Sequence, residues 1–288
     1  MPSALRDQIE SFLPSLAELR ALRIWDGHLH LTTPGDTPEA RLAHLIGLAD
    51  NMGIERLLIA RGVPPYPNTP DRAQMRQQND DLMRAIRAHP DRALGTVYLN
   101  PHELQASLDE LNRCVRDGPC VGVKLWVAAK VNVPNMDPIV ARAQELKAVI
   151  FQHTWIVSGG PGARAEDPNG TTPADLADIA GRHPEASFVS MHSGGNWEVG
   201  IRTLRNCPNV ALEVSGSTPT AGFVEMAVRE VGAQRVTYGT DTSGRSMSTQ
   251  MAKVLGAGIS REDKFLIFGG NLRRLFAPIM QAKGMKLA

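Results

Sequence analysis

The sequence is poor in several features that would otherwise narrow its function. It has three cysteines, Cys114, Cys120 and Cys207, an odd number with no metal-finger spacing. That argues against a disulfide framework and suits a reducing compartment, where the thiols pack as small apolar groups. Net charge is only +1, so neither nucleic acid nor an anionic membrane is expected as a partner. No apolar run approaches the roughly 20 residues of a membrane span. The segment from Met1 to Arg23 carries Arg6, Asp7, Glu10, Glu18, Arg20 and Arg23, which interrupt any signal-peptide core. The expectation is a soluble cytoplasmic protein that acts on a small molecule. Homo-oligomer assembly is left open.

What the chain does have is regular alternation. Short β-rich runs at residues 24–31, 56–61, 93–99, 121–127, 148–155, 187–192, 210–214 and 235–240 alternate with amphipathic helical stretches. Thr172-Pro173-Ala174-Asp175 offers an N-cap, a proline at the first helical position and an acid in the first turn. Strand–helix alternation implies parallel strands with right-handed crossovers. Eight such units imply a closed (β/α)8 TIM barrel with its site at the C-terminal strand ends. A doubly wound sheet would show a glycine-rich turn after the first strand, and none is present. Residues 1–288 read as one barrel domain with residues 1–22 as an N-terminal helical extension. The irregular stretches 64–70 and 158–170 read as loops over the barrel mouth.

The chemistry concentrates at strand ends. Asp26-Gly27-His28-Leu29-His30 closes the first strand, and alternation points Asp26, His28 and His30 the same way. Residues two apart lie about 6.6 Å apart at Cα, so both imidazoles can lean onto one ion with bonds of ~2.1 Å. Lys124 falls on the fourth strand, His153 on the fifth, His192 on the sixth, Glu213 on the seventh and Asp241 after the eighth. A barrel brings these ends to one pocket. His44, His89, His102 and His183 read as structural or surface residues.

At this point the chain resembles the amidohydrolase superfamily, in the amidohydrolase-related (amidohydrolase 2) branch, which includes lactone hydrolases and aminocarboxymuconate-semialdehyde and resorcylate decarboxylases. The matching pieces are Asp26-Gly27-His28-Leu29-His30, Gln152-His153, Met191-His192-Ser193-Gly194-Gly195, Tyr238-Gly239-Thr240-Asp241 and Gly270-Asn271-Leu272-Arg273-Arg274-Leu275-Phe276. They follow the family's order across nearly the whole chain. The last piece reads as a structural helix.

The resemblance implies that His28, His30, His153 and Asp241 bind a divalent ion, with His192 beside it. Three neutral histidines and a carboxylate suit zinc, one ion per chain, with a position left for water. The ion would activate that water and polarise a carbonyl. Asp241 would take the water's proton, and His192 would serve the oxyanion or the leaving group. In two-metal members of the superfamily a carboxylated lysine on the fourth strand bridges two ions, and Lys124 is placed for that role or for holding a substrate carboxylate. Glu213 reads as a proton shuttle or a partner for Lys124. Trp126 and Trp155 could line a pocket for a flat substrate, and Arg61 could hold an anion. The leading expectation is a metal-dependent hydrolase of a lactone, ester or amide. The alternatives are a non-oxidative decarboxylase of an aromatic or muconate-type acid, and a ligand-binding barrel without catalysis.

Overall fold

The computed structural model describes residues 14–61, 65–156, 168–216 and 221–287. Eight strands form one sheet in chain order: β1 Ile24–His30, β2 Ile54–Ala60, β3 Ala93–Tyr98, β4 Cys120–Leu125, β5 Val149–Trp155, β6 Phe188–Gly194, β7 Val210–Glu213 and β8 Val236–Thr237. Each pairs in parallel with the next. Beyond β8 the chain turns to β1. Gly27 N–H donates to Tyr238 O at 3.0 Å, Asp241 N–H to His28 O at 2.7 Å and His30 N–H to Thr242 O at 2.7 Å. These bonds close a (β/α)8 barrel, as the alternation requires. The strands are buried almost throughout and read as near-continuous apolar runs, because helices cover their outer face.

Helix starts follow local chemistry. Asp71 caps Arg72–Ala88 in a reciprocal box with Gln74. Thr172 and Asp175 form the same device ahead of Pro173–Arg182. Two helices are not α-helical throughout. Leu104–Glu110 widens into a π-helical turn at Leu111–Arg116, and Arg261–Phe265 passes through one at Leu266–Gly270 before Asn271–Ala282. The second turn packs closely against the residue before β1. A Cβ on Gly269 would lie 2.5 Å from Arg23 O. The Asn271 amide donates to Ala233 O and Val236 O, both at 2.7 Å, which pins this helix to the start of β8.

Strand eight is shorter than residues 235–240, because Tyr238 to Thr242 leave β7 to bond with β1. Of the expected N-terminal extension, residues 1–13 lie outside the described part, and Leu16–Ala21 is a helix capped by Ser15 and Glu18. Of the two expected loops, residue 64 and residues 158–167 also lie outside it. Among the described residues, no helix is long and apolar enough to cross a membrane.

Candidate metal centre

The alternation of β1 brings His28 and His30 to one point. Their Nε2 atoms lie 3.2 Å apart. Asp241 Oδ1 stands 3.5 Å from His28 Nε2 and 3.4 Å from His30 Nε2. Asp241 reaches that position through a left-handed backbone, φ 57°, a region aspartate tolerates better than most residues. Asp26 shares the strand face but turns to a different task. Its carboxylate accepts from His28 N–H at 3.1 Å, Thr240 N–H at 2.9 Å and the Thr240 hydroxyl at 2.6 Å, tying β1 to the segment that carries Asp241. Burial pushes the Asp26 carboxyl up to about 7.

The ends of β6 and β7 build the second part. His192 and Ser193 are also left-handed, φ 61° and 46°. Such outliers at one pocket are the kind of strain that functional sites keep. The Glu213 carboxylate is fully buried. It accepts from His192 N–H at 2.9 Å, Ser215 N–H at 2.6 Å and the Ser215 hydroxyl at 2.8 Å. The His28 ring centroid lies 4.9 Å from that of His192, and His192 is 4.9 Å from His153.

His153 therefore sits one ring further out than the close trio of His28, His30 and Asp241. It stacks on Trp155 at 6.0 Å and 12°, and meets the edge of Trp126 at 6.0 Å. Lys124 is almost wholly enclosed; its ammonium contacts Met191 Sδ at 2.6 Å and His28 Nε2 at 3.4 Å. Among the described residues no ion pair joins it to Glu213. Arg61 is buried at the end of β2, donates to Leu31 O at 2.7 Å, and lies 4.6 Å over the ring of Tyr66. Tyr66 in turn donates to Asp81 at 2.5 Å. A cavity of about 510 Å³ opens beside Thr242 and Ser243, between His44, Leu48, Arg245 and Met247. None of the clustered histidines lines it, so it is separate from the centre.

Electrostatics follow from burial. It holds His28 well below the ordinary histidine range, with Lys124 adding to the effect. It lowers His30 too, against the opposing bond to Asp241. His192 is pushed down to about 3 and Lys124 down to about 8, again chiefly by desolvation. Burial opposes ionisation of Asp241, but the facing His28 and the bond from His30 outweigh it and hold the carboxyl well below the usual range. Neutral imidazoles beside an ionised carboxylate are the protonation states a metal site needs.

The donor set fits a divalent cation. Two imidazole nitrogens and one carboxylate oxygen converge within 4.8 Å of one another, and nitrogen–oxygen sets without thiolate suit zinc or manganese. A second group, His28, His192 and Glu213, is equally tight. Its centre is taken by the Ser215 hydroxyl, so it reads as a hydrogen-bond network.

Fold and site together define a metal-dependent enzyme built on a (β/α)8 barrel. The chain matches the amidohydrolase model Amidohydro_2 over residues 25–277 and belongs to that family. It is similar to the γ-resorcylate decarboxylase of Rhizobium sp. (strain MTP-10005), 21% identical over 80% of this chain and 85% of the relative. Among solved structures it resembles 2,6-dihydroxybenzoate decarboxylase from Rhizobium, with TM-score 0.68 and 21% identity over 88% of this chain and 98% of that one. It also resembles 5-carboxyvanillate decarboxylase from Novosphingobium aromaticivorans, complexed with manganese and 4-hydroxy-3-methoxy-5-nitrobenzoic acid. There the TM-score is 0.65, with 18% identity over 81% of this chain and 79% of that one. Family and donor set support a divalent metal cofactor.

Ser215 escaped the sequence reading. It follows β7 with no motif, and its place is visible only once β1, β6 and β7 are neighbours in space. Thr240 lies within a quoted motif, but its bond to Asp26 was not foreseen.

Proposed function

We propose that the protein is a metal-dependent, non-oxidative decarboxylase of a hydroxylated aromatic acid. The observation that carries this is the flat aromatic wall of Trp155 and His153 beside His192, next to the trio His28, His30 and Asp241. A planar ring fits against such a wall. The named relatives are decarboxylases of benzoate derivatives, which supports this reading over the hydrolase first expected from the resemblance.

His28, His30 and Asp241 hold the ion, and His153 is the candidate fourth ligand. When bound there, the ion would supply positive charge that attracts an anionic substrate and offsets negative charge building on it. Manganese and zinc are both suited to these ligands, and manganese accompanies two of the similar decarboxylases. Trp126 and Trp155 orient the ring. Lys124 and Arg61 supply positive potential that favours an anionic substrate. His192 carries the proton. As the carbon–carbon bond breaks, its electron pair stays on the ring carbon and carbon dioxide leaves; the ring carbon takes a proton that His192 Nε2 has first taken up from solvent, and His192 returns to its neutral form. Only one ion is needed, because the second ligand cluster is filled by Ser215.

The test is a panel of 2,6-dihydroxybenzoate, 5-carboxyvanillate and other hydroxybenzoates, run beside lactones and esters on manganese- and zinc-loaded protein. Carbon dioxide release from an aromatic acid is expected. Turnover of lactones or esters, with none from any aromatic acid, overturns the proposal.

A further inference from the structure

Ser215 stands between two histidines that come from different strands. Its Oγ lies 3.0 Å from His192 Nδ1 and 3.3 Å from His28 Nδ1. The hydroxyl has one proton, and that proton goes to Glu213 Oε2 at 2.8 Å. A hydroxyl oxygen that has donated its proton can only accept. Both facing ring nitrogens must then donate. Hydrogen-bond bookkeeping therefore places a proton on Nδ1 of His28 and on Nδ1 of His192. Each ring is left with its lone pair on Nε2.

We infer that Ser215, backed by Glu213, is a positioning residue that fixes both histidines in the Nδ1–H tautomer. The consequence differs between the two rings. On His28 the lone pair faces His30 Nε2 and Asp241, where the cation is proposed to sit. On His192 it faces the aromatic pocket, where it can take up a proton and deliver it. An imidazolium formed there keeps its Nδ1–H bond to Ser215, with the Glu213 carboxylate behind it. Hydrogen bonds to the far nitrogen commonly orient metal-binding imidazoles in this way.

The surrounding backbone is shaped to protect the arrangement. Gly216 has φ 115°, and a Cβ there would lie 3.1 Å from His192 Nδ1. A Cβ on Gly239 would lie 2.5 Å from Glu213 Oε1 and 2.8 Å from His28 Cβ. Lys253 fastens the loop from beyond, donating to Gly216 O at 3.2 Å. Two glycines thus let the carboxylate, the hydroxyl and both rings close on one another, with no atom to spare.

The inference rests on His28 as ligand and His192 as proton carrier, but its main test depends on neither metal nor turnover. Long-range proton–nitrogen correlation spectra of full-length protein labelled with ¹⁵N-histidine report the tautomer of each ring directly. His28→Gln and His192→Gln spectra assign the signals. In the metal-free wild type both rings should show protonated Nδ1 and bare Nε2; His192 should keep this pattern when zinc is bound. Ser215→Ala should mix the tautomers and weaken zinc binding in titration by roughly ten- to a hundredfold, while Ser215→Thr, which keeps the hydroxyl, should restore both. A protonated Nε2 on either ring of the wild type overturns the inference, even if the protein proves to be an active decarboxylase. So does a Ser215→Ala protein whose tautomers and zinc affinity match the wild type.

Discussion

His192→Asn isolates the proton step from the metal. Asparagine is among the residues that best tolerate the left-handed backbone found at this position, φ 61°. It also keeps a small polar side chain near Ser215, so the strand end should survive. What disappears is the ring nitrogen proposed to take up a proton and hand it to the substrate. General acid–base terms contribute about 10²- to 10⁴-fold, or ~2.7 to ~5.4 kcal/mol of barrier. The kcat for carbon dioxide release should fall within that range while KM moves little. Metal content by elemental analysis should stay at the wild-type level, because the close trio of His28, His30 and Asp241 is intact. A second readout tests the proton itself. In D₂O the wild type should exchange the product's ring hydrogen at the vacated carbon, and the variant should not. If kcat stays within tenfold of wild type, or if metal is lost in step with activity, the proton role assigned to His192 is wrong.

Asp241→Asn removes the only charged member of the trio, so metal affinity should drop and turnover should stay near zero even with metal in excess. Retention of more than about a tenth of kcat, under ~1.4 kcal/mol of barrier, would contradict that. Chelation should abolish activity, and manganese or zinc should restore it; full activity in exhaustively chelated protein would remove the metal from the reaction. Gly239→Ala drives a methyl into Glu213 and His28, so it should lower both Tm and metal affinity, and a variant matching wild type in both refutes the packing argument. Burial lowers Lys253 from its ordinary 10.5 to about 8. Between those values the unfolded chain holds the proton more often than the folded one, so stability rises with pH across that window. The Tm of wild type relative to Lys253→Met should therefore climb from pH 8 towards pH 10.5, and a flat difference would refute the burial effect.

The barrel was legible because its signals are local. Most strands are apolar runs of ordinary length, and several helices start at a side-chain cap such as Asp71 or Thr172, so the alternation could be counted. The π-helical turns at Leu111 and Leu266 were not legible, since no local signal marks them; the second brings Gly269 against Arg23, far away in sequence. The same division holds in the site. His28 and His30 announce themselves by spacing along one strand, and their convergence with Asp241 follows from barrel closure. Glu213 was visible as a residue but not as a task. Read as a shuttle or a partner for Lys124, it is fully buried and accepts hydrogen bonds from His192 and Ser215. No spacing rule encodes that, because the bonds join β6 to β7 and reach towards β1 across the sheet.

Glu213 also makes the two ends of the site answerable to each other. One carboxylate oxygen receives the backbone of His192 and, through a single hydroxyl, faces the rings of both His28 and His192. Any movement of His28 that improves its grip on a cation shifts the same oxygen that seats His192. Linkage requires the reverse: a substrate that draws His192 into place must strengthen cation binding by the same factor. Cation and substrate are then expected to act as mutual effectors over a few ångströms. A measured cation affinity would be a property of the substrate present as much as of the ligands.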